Sequence, residues 1–396
     1  MPSDWPSLEY ETLPWQRRYE LGVASRNEVR RHSGPYQAAV VPEIASLDLL
    51  LDGPLDALAG DAASELSRFD AEMGGEIAPF AAVLLRSESA ASSQIEHLTA
   101  SARAIAEAEI GVRSRHNADL IVANTHAMDA AVGLAGRLDA ASILTMHRAL
   151  MERSNPGIAG RWRTEQVWIG GGSLGPHQAQ FVPPHHRRVE AAIDDLVRFM
   201  ARDDLPVLPH VAVAHAHFET IHPFPDGNGR TGRALAHAML RGKSLTRNVT
   251  VPISAGLLSD TDRYFEALNA YRGGDPAAIV SQLSEACFAA VTNGRRLVNE
   301  LRALRAEWGE AVRARRDSRS WMIADLLLRH PVVTAPFVAR ELGIARLPNV
   351  YPLIQPLEEA GVLTEFTDRK RNRVWRSEAV LAALDAFAAR AGRRRP

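Results

Sequence analysis

Hydrophobic residues recur with the 3.6-residue period of an α-helix along most of this chain. Leu120, Ala123 and Ala127 lie on one such stripe, and a second stripe runs through residues 143–150. Spacing of this kind favours helices that bury one face. Strand-like stretches are confined to residues 160–184 and to the C-terminal end. The pattern therefore predicts a mainly α-helical protein.

A small β-hairpin is predicted within residues 160–184. The segment passes from Val167, Trp168 and Ile169 into three consecutive glycines, and a second apolar stretch begins at Phe181 after a short polar gap. β-favouring residues on both sides of a glycine turn are typical of a hairpin. On these residues alone, a plain surface hairpin and a functional one are equally consistent.

The C-terminal residues predict three helices and a β-ribbon. The helices are expected at 321–329, 335–342 and 350–360, and the ribbon at 362–375. This order is typical of winged helix-turn-helix domains, many of which bind DNA. Four basic residues fall where the tip of the wing would meet a phosphate backbone: Arg369, Lys370, Arg371 and Arg373.

Three prolines argue against a simple DNA-reading helix. Pro348, Pro352 and Pro356 lie in or beside the third predicted helix. A proline inside a helix removes a hydrogen bond and costs about 3 kcal/mol, so this helix should be short or kinked. Docking to a protein, or dimerisation, is at least as well supported as DNA binding.

A long connecting helix is predicted at residues 295–318. Its apolar residues recur at helical spacing among many charged ones, which indicates a half-exposed helix. These residues are Leu297, Leu301, Leu304, Trp308 and Val312.

Composition sets broad limits on the class of protein. A chain of 396 residues is too long for one compact core and predicts two or three domains. Its hydrophobic content of 46% and net charge of −1 are those of an ordinary soluble globular protein. No overall charge bias indicates a nucleic-acid or membrane partner.

The single cysteine, Cys287, excludes an internal disulfide and is typical of a reducing compartment. It lies in an apolar stretch and is expected to be a buried thiol rather than a nucleophile. Residues 1–20 lack the apolar core of a secretory signal, and no apolar run reaches the length of a membrane span. These observations predict a cytoplasmic protein with no membrane partner.

Residues 222–233, with the sequence HPFPDGNGRTGR, combine the parts of a phosphate-handling site. His222 is a base that titrates near neutrality. Asp226 is a carboxylate suited to a Mg²⁺ ion that keeps several waters and bridges phosphate oxygens. The glycines allow backbone N–H groups to approach an anion at the start of a helix, and Arg230 and Arg233 lie three residues apart on its first turn.

This run resembles the signature of the Fic-domain family and matches it at every defined position. The resemblance implies transfer of AMP from ATP to a hydroxyl side chain of a target protein. His222 would then accept the hydroxyl proton, and Asp226 would hold Mg²⁺. The Asn228 side chain and the glycine amides would hold the α-phosphate, and the arginines would neutralise the β- and γ-phosphates. The implied nucleotide-binding residues are Gly227, Asn228, Gly229, Arg230, Thr231, Gly232 and Arg233.

A dinucleotide-binding turn is the main alternative for the same glycines. Gly227, Gly229 and Gly232 spell G-x-G-x-x-G, and the alternation of Val211 and Val213 resembles a preceding strand. That motif requires an acidic residue about twenty positions further on, yet residues 248–258 contain none. It also leaves His222 unexplained, so the Fic interpretation is preferred.

A second Fic-like motif lies upstream at residues 92–97. Ser92 and Glu96 are four residues apart in a helix-favouring stretch and should share one helix face. By default such a pair is a solvated face. The run resembles the inhibitory motif of Fic proteins, in which the glutamate pairs with the second arginine of the signature, here Arg233, and denies it to the γ-phosphate. His97 departs from that motif, which usually has glycine or asparagine at this position.

The resemblance also gives the predicted hairpin a role. In Fic proteins such a flap covers the active site and aligns the target segment through strand-type hydrogen bonds. Val167, Trp168, Ile169 and Gly170 are the residues expected nearest the target.

The histidines near the signature suggest a metal site as another alternative. His210, His215, His217 and His222 are close in sequence. However, His215 and His217 diverge by about 200° on a helix, so they do not converge on one ion. Only Mg²⁺ accompanying ATP is expected.

By resemblance, the chain divides into an N-terminal arm at 1–40, a helical module with the inhibitory helix at 41–115, a Fic core at 116–294, a linker helix at 295–318 and a winged-helix domain at 319–396.

Two alternatives to adenylyl transfer stay open. One is removal of AMP from a modified protein on the same fold, and the other is an ATP-sensing DNA-binding regulator. Self-modification and a homodimer are also compatible with the sequence.

Overall fold

A computed structural model describes residues 5–15, 30–74, 79–172, 174–366 and 373–392. The described part of the chain is mainly helical, as predicted. The helices are α1 (Gly53–Gly74), α2 (Pro79–Ile95), α3 (Ala102–Glu109), α4 (His116–Gly133), α5 (Ala140–Met151), α6 (Val189–Met200), α7 (Val207–Ile221), α8 (Asn228–Gly242), α9 (Ile253–Leu257), α10 (Thr261–Arg272), α11 (Ala277–Ala311), α12 (Ser320–Arg329), α13 (Ala335–Glu341), α14 (Tyr351–Glu359) and α15 (Glu378–Ala391). The strands are β1 (Glu9–Leu13), β2 (Tyr36–Val40), β3 (Val332–Thr334), β4 (Thr364–Glu365) and β5 (Val374–Arg376).

The chain forms two compact units. The first comprises Met1–Asp61, Ala130–Lys243 and Asp262–Ser284. The second comprises Ala62–Asp129, Ser244–Thr261 and Glu285–Pro396. Each unit thus draws on several separated stretches of sequence, whereas the predicted domains were each continuous.

The core of the first unit is built around α7. This helix is apolar on nearly all sides, and residues 208–221 are all buried, as expected for a helix with neighbours all round. It packs against α6 and α8. A Cβ atom on Gly232 would lie 2.6 Å from Glu219 Oε1 and 2.9 Å from Phe218 Cδ1. Glycine is therefore required where α8 crosses α7.

The first unit also contains a hairpin that the sequence analysis missed. Strands β1 and β2 pair antiparallel, with Glu9 opposite Val40 and Leu13 opposite Tyr36. The prediction that strands occur only in residues 160–184 and at the C-terminus was therefore wrong. β1 is mostly exposed, so its sequence lacks the alternation of apolar and polar residues that marks a half-buried strand. It forms a strand because it pairs with β2.

In the second unit, α2 packs against α9, α12 and α15. The buried carboxylate of Glu88 on α2 accepts hydrogen bonds from the backbone N–H of Ser254, at 2.8 Å, and from its hydroxyl group. Cys287 is buried, as expected, and burial raises the pKa of its thiol.

The C-terminal elements of the second unit follow the predicted order. Helices α12, α13 and α14 are accompanied by an antiparallel sheet of strand order β3-β5-β4. The prolines act as predicted, because a 3-10 helix at Leu347–Val350 precedes the nine-residue α14, in which Pro356 is internal.

The proposed basic wing tip is described only at Arg373, because Arg369, Lys370 and Arg371 lie outside the described residues. Arg373 forms ion pairs with Glu358, at 3.2 Å, and with Glu365, at 2.5 Å. Since two carboxylates neutralise this guanidinium, it is poorly suited to bind a DNA phosphate.

The predicted linker helix is part of a longer element. Helix α11 runs from Ala277 to Ala311 and crosses the predicted domain boundary at 294/295 without a break. Its end at Ala311 also precedes the predicted limit of residue 318. No helix among the described residues is long and apolar enough to span a membrane.

Candidate active site

The signature run connects two helices through a tight loop. His222 ends α7 in the left-handed conformation, with φ 49° and ψ 61°, and its N–H donates to Phe218 O at 2.9 Å. Gly227, with φ 79°, precedes α8. A left-handed conformation is uncommon for residues other than glycine and is characteristic of functional positions. The preceding element is therefore a helix, which contradicts the strand required by the dinucleotide-binding alternative.

Glycine is favoured at position 227 by its backbone conformation and by a tight contact. Its positive φ favours glycine, and a Cβ atom would lie 3.0 Å from Leu150 Cδ2 and 3.3 Å from Met151 Sδ. The loop is thus seated directly on α5.

Asn228 closes the loop from inside. Its Oδ1 accepts a hydrogen bond from Phe224 N–H at 2.8 Å, and its Nδ2 donates to Phe224 O at 2.9 Å. The side chain is buried, and both of its polar groups are used within the loop. The Asn228 side chain therefore shapes the loop in this structure, and its predicted contact with the α-phosphate stays a prediction.

Phe224 anchors the loop through aromatic stacking. It is fully buried between the ring of His147, with centroids 3.7 Å apart and planes 6° from parallel, and that of Trp162, at 5.0 Å. This accounts for the aromatic residue in the signature, which the sequence analysis left without a role.

His147 on α5 also binds the loop, and its role was not anticipated. Its Nδ1 accepts from Gly160 N–H at 3.0 Å, so its Nε2 carries the proton and donates to Asp226 O at 3.0 Å. Burial lowers the pKa of His147 to about 4, so the imidazole is neutral. It holds the backbone of Asp226 and leaves the carboxylate available.

The Asp226 carboxylate is 66% exposed. Its Oδ1 accepts from Gly227 N–H at 2.6 Å and lies 3.9 Å from Arg230 Nη2. One exposed carboxylate beside an anion site suits Mg²⁺, which is commonly held by one or two carboxylates, several waters and substrate phosphates. The described residues contain no cluster of three or more His, Cys, Asp or Glu that could hold a metal ion.

The start of α8 offers the features of an anion site. The first N–H groups of a helix have no partner within the helix, and they carry the positive end of its dipole. Arg230 and Arg233, on the first two turns, are only 5% and 4% exposed. Two guanidinium groups at the N-terminal end of a helix favour an anion there.

Thr231 and Gly232 belong to the packed side of α8. Thr231 is fully buried, and Gly232 lies against Phe218 and Glu219. Gly229 is half-buried on the first turn. A packing role accounts for Thr231 and Gly232 in this structure, and their predicted contact with a nucleotide stays a prediction.

A buried arginine outside the signature holds the loop and the predicted flap together. Arg163 donates from Nε to His222 O at 2.8 Å and from Nη1 to Glu165 O at 3.1 Å. Its Nη2 donates to Pro184 O and to Ile221 O, and its backbone N–H donates to Pro223 O at 3.0 Å. Burial lowers the pKa of Arg163 to about 10, so it stays charged. Nothing in the local sequence marks Arg163, because an arginine after Trp162 could equally face solvent.

The predicted flap is a minimal hairpin. Ile169 and Phe181 form an antiparallel bridge, with Ile169 N–H donating to Phe181 O at 2.9 Å and Gln180 N–H donating to Ile169 O at 2.8 Å. Gly170 and Gly171 both have φ 74°, and a Cβ on Gly171 would lie 2.2 Å from Gln178 O. Val167, Trp168 and Ile169 are half-buried, and Gly170 is exposed.

The N-terminal hairpin supports the flap. Ala39 N–H donates to Val182 O at 3.0 Å, and Trp15 packs edge-to-face on Trp168 with ring centroids 5.6 Å apart. Trp15 and strand β2 therefore help to position the flap.

The other histidines near the signature have separate partners. The ring nitrogens of His215 and His217 lie 2.7 and 2.8 Å from the hydroxyls of Tyr264 and Tyr271. His210 Nε2 lies 2.8 Å from Phe199 O. These three histidines serve packing within the first unit.

The predicted inhibitory motif lies in the second unit, where Ser92 is fully buried in α2. Glu96 is exposed in the turn just after Ile95, the last residue of α2, so it lies one residue beyond the predicted helix face. Leu98 N–H donates to Ser93 O at 3.0 Å, and His97 N–H donates to Gln94 O at 2.9 Å. These two bonds form a Schellman cap with His97 left-handed at φ 61°. Glycine and asparagine adopt that conformation most easily, so histidine is an unusual residue here.

Residues 137–240 match the model of the Fic/DOC family. Protein adenylyltransferase fic-1 of Caenorhabditis elegans is 33% identical over 101 residues, which are 25% of this chain and 18% of that relative. Protein adenylyltransferase Fic of Nematostella vectensis is 29% identical over 136 residues, which are 34% of this chain and 28% of that relative. The chain thus spans less than a third of either relative.

The fold also resembles a solved structure. The crystal structure of a Fic family protein from Desulfovibrio desulfuricans G20 aligns with a TM-score of 0.51 at 18% identity, over 83% of this chain and 97% of that chain. At this identity the likeness concerns the fold alone. The sequence similarity to the Fic/DOC family thus lies in residues 137–240, and the described fold resembles that of a Fic family protein.

Proposed function

We propose that this protein transfers AMP from ATP to a hydroxyl side chain of a target protein or of itself. The observation that carries the proposal is the placement of His222, left-handed at the end of α7, beside the anion-binding start of α8 with its two buried arginines. A base next to a polyphosphate site is the arrangement that phosphoryl and nucleotidyl transfer require. The names of the relatives, protein adenylyltransferases, agree with it.

In this mechanism the target hydroxyl oxygen attacks the α-phosphorus of ATP. Its proton passes to His222, the bond from the α-phosphorus to the oxygen that bridges it to the β-phosphate breaks, and pyrophosphate leaves. The N–H groups at the start of α8 stabilise the charge on the α-phosphate, while Arg230 and Arg233 hold the β- and γ-phosphates. Mg²⁺ at Asp226 would neutralise phosphate charge.

The flap has the role of aligning the target in this proposal. The half-buried residues 167–169 and the exposed Gly170 offer backbone groups to an extended segment of the target. The target protein, the hydroxyl residue and a homodimer are open to experiment. Arg373, the one predicted wing-tip residue that is described, is already paired with Glu358 and Glu365, so it does not support a DNA partner.

Autoinhibition by Glu96 through Arg233 is the regulatory part of the proposal. It is supported by the location of Glu96 in an exposed turn that two backbone hydrogen bonds define. A carboxylate that binds a guanidinium competes directly with a phosphate for the same hydrogen bonds.

The test is AMP incorporation from α-labelled ATP with Mg²⁺, together with intact mass. The comparison includes wild type, Glu96→Gly, Glu96→Gly with His222→Ala, and Glu96→Gly with His126→Ala. The last variant is the control, because His126 is an exposed histidine outside the site. We expect labelling in Glu96→Gly that the His126 change leaves intact and the His222 change abolishes. A different result would instead establish the reverse reaction. In that case Glu96→Gly would label neither itself nor lysate proteins, and AMP would be released from modified proteins only when Glu96 is present.

A further inference from the structure

The second unit contains a cavity of about 410 Å³ that the proposed reaction does not use. It lies between the end of α2, the start of α3 and the last turns of α15. Its lining includes Gln94, Leu98, Ile105, Leu384 and Phe387. Every lining residue belongs to the second unit.

The space exists because the facing helices carry small side chains. Eight of the lining residues are alanines, so neither α2 nor α15 can reach across it. The cavity is partly open to solvent and mainly apolar, so it is a recess that a molecule from solution can enter.

Volume limits the kind of occupant. Pockets for small molecules typically measure about 300–1,000 Å³. At about 410 Å³ the cavity falls within this range and suits a small molecule.

The two charged side chains of the lining, Arg86 and Asp385, already have partners. Arg86 pairs with Glu109 at 2.7 Å and also donates to Arg329 O. Burial opposes ionisation of Glu109, but His330, whose Nδ1 lies 3.7 Å from the carboxylate, and the charge of Arg86 outweigh it and lower the pKa of Glu109 to about 2. Asp385 accepts a hydrogen bond from Ala102 N–H, at the start of α3, at 2.9 Å. The lining therefore favours an uncharged ligand.

The cavity adjoins the turn that carries Glu96. Gln94 and Leu98 line it, and both belong to the Schellman cap in which Glu96 stands. A molecule in the cavity would contact residues on both sides of Glu96. Occupancy would bias the conformation of that turn, as a ligand does when it binds one conformation more tightly than another.

We propose that this cavity binds a small, uncharged, mainly apolar organic molecule, and that its occupancy changes how strongly Glu96 restrains the enzyme. The effect of occupancy on Glu96 rests on the proposed function, whereas binding of the molecule to the cavity does not.

Binding is tested with N-phenyl-1-naphthylamine, an uncharged aromatic probe that fluoresces in apolar surroundings. Ala388→Leu fills the cavity from α15, and Ala386→Leu on the same helix is a matched control, since Ala386 is exposed and outside the lining. We expect saturable binding at one site in the full-length protein, weakened about tenfold or more by Ala388→Leu and unchanged by Ala386→Leu. Ala389→Leu, at the mouth of the cavity, replaces Ala388→Leu if that variant does not fold.

No saturable signal in wild type, or equal affinity in the filled and control variants, would overturn the site. The effect of occupancy on Glu96 is tested by measuring the ATP dissociation constant with and without the probe, in wild type and in Glu96→Gly. We expect a change of about threefold or more in wild type and none in Glu96→Gly. An equal effect in both proteins, or no effect in wild type, would overturn the coupling.

These outcomes are separable from the proposed function. If Glu96→Gly binds ATP but transfers no AMP, adenylyl transfer fails, while probe binding and its effect on ATP affinity still decide the cavity and the coupling.

Discussion

Arg163 Nε donates a hydrogen bond to the carbonyl oxygen of His222 over 2.8 Å. The same guanidinium binds the carbonyls of Glu165 and Pro184, which belong to the flap segment. One buried cation thus fixes the backbone of the proposed base relative to the segment expected to align the target. Arg163 is a positioning residue in this scheme, since it acts through the backbone of other residues.

Arg163→Lys should lower the transfer rate far more than it weakens ATP binding. A lysine has one donor centre and cannot reach carbonyls spread around a guanidinium, so buried acceptors lose their partners at a cost of about 2–3 kcal/mol. A misplacement of about 1 Å can slow a reaction 10²-fold. The kcat for transfer and the ATP dissociation constant, each measured separately in the Glu96→Gly background, check this.

The matched control for that prediction is Arg161→Lys, two positions earlier and exposed. It should leave both quantities unchanged. An Arg163→Lys protein that is fully folded and as fast as the control would remove Arg163 from the positioning scheme.

His147 should make the protein sensitive to acid. Burial lowers its pKa from 6.5 to about 4, so the folded state excludes a proton that the unfolded state binds. The contribution of neutral His147 to the free energy of unfolding is complete above pH 6.5. About 3 kcal/mol of that free energy is lost as pH falls toward 4.

Urea unfolding at several pH values checks this. His147→Gln should flatten the dependence between pH 6.5 and 4. His126→Gln, at an exposed position, should leave it as in wild type. Identical slopes for the two variants would show that His147 does not titrate in this way.

His97→Gly should stabilise the protein by about 1 kcal/mol, because glycine tolerates the left-handed conformation at the end of α2. The observed φ of 61° is costly for a residue with a Cβ atom. His97→Ala removes the imidazole but keeps the Cβ, so it serves as the control. If the two variants are equally stable in urea unfolding, backbone strain at this position is negligible.

Gly171→Ala should impair transfer to a protein while leaving ATP affinity unchanged. The new Cβ would lie 2.2 Å from Gln178 O and would open the flap turn. Gly172→Ala is a close control, because its φ of 86° is also positive but nothing lies within 4 Å of its Cβ. Labelling of a target protein and titration with ATP are measured for both variants. If both variants lose the same amount of transfer activity, the geometry of the turn is not the cause of the loss.

Asp226→Asn should raise the Mg²⁺ concentration needed for transfer while hardly changing stability. Asparagine keeps an oxygen for the Gly227 N–H bond but loses the charge that a hard cation prefers. Stability should change by less than about 0.5 kcal/mol, because the carboxylate is exposed. Asp129→Asn, at another exposed aspartate, controls for net charge, and a Mg²⁺ requirement matching that control would exclude Asp226 as the ligand.

The helical class and the chemistry of the signature were determined by the sequence itself. Both depend on local spacing: helical stripes fix which face is buried, and twelve consecutive residues bring His222, Asp226 and Arg233 to one loop and one helix start. The glycine turn of the flap and the prolines that shorten α14 are also local effects, because they act on the backbone where they stand.

Tertiary structure decided how that loop is held. Arg163 reaches His222 across 59 positions, and His147 reaches Asp226 across 79. The β1–β2 hairpin likewise exists through its pairing and its aromatic packing on the flap. No periodicity encodes such contacts, because a buried arginine or histidine differs from an exposed one only in what distant segments place around it.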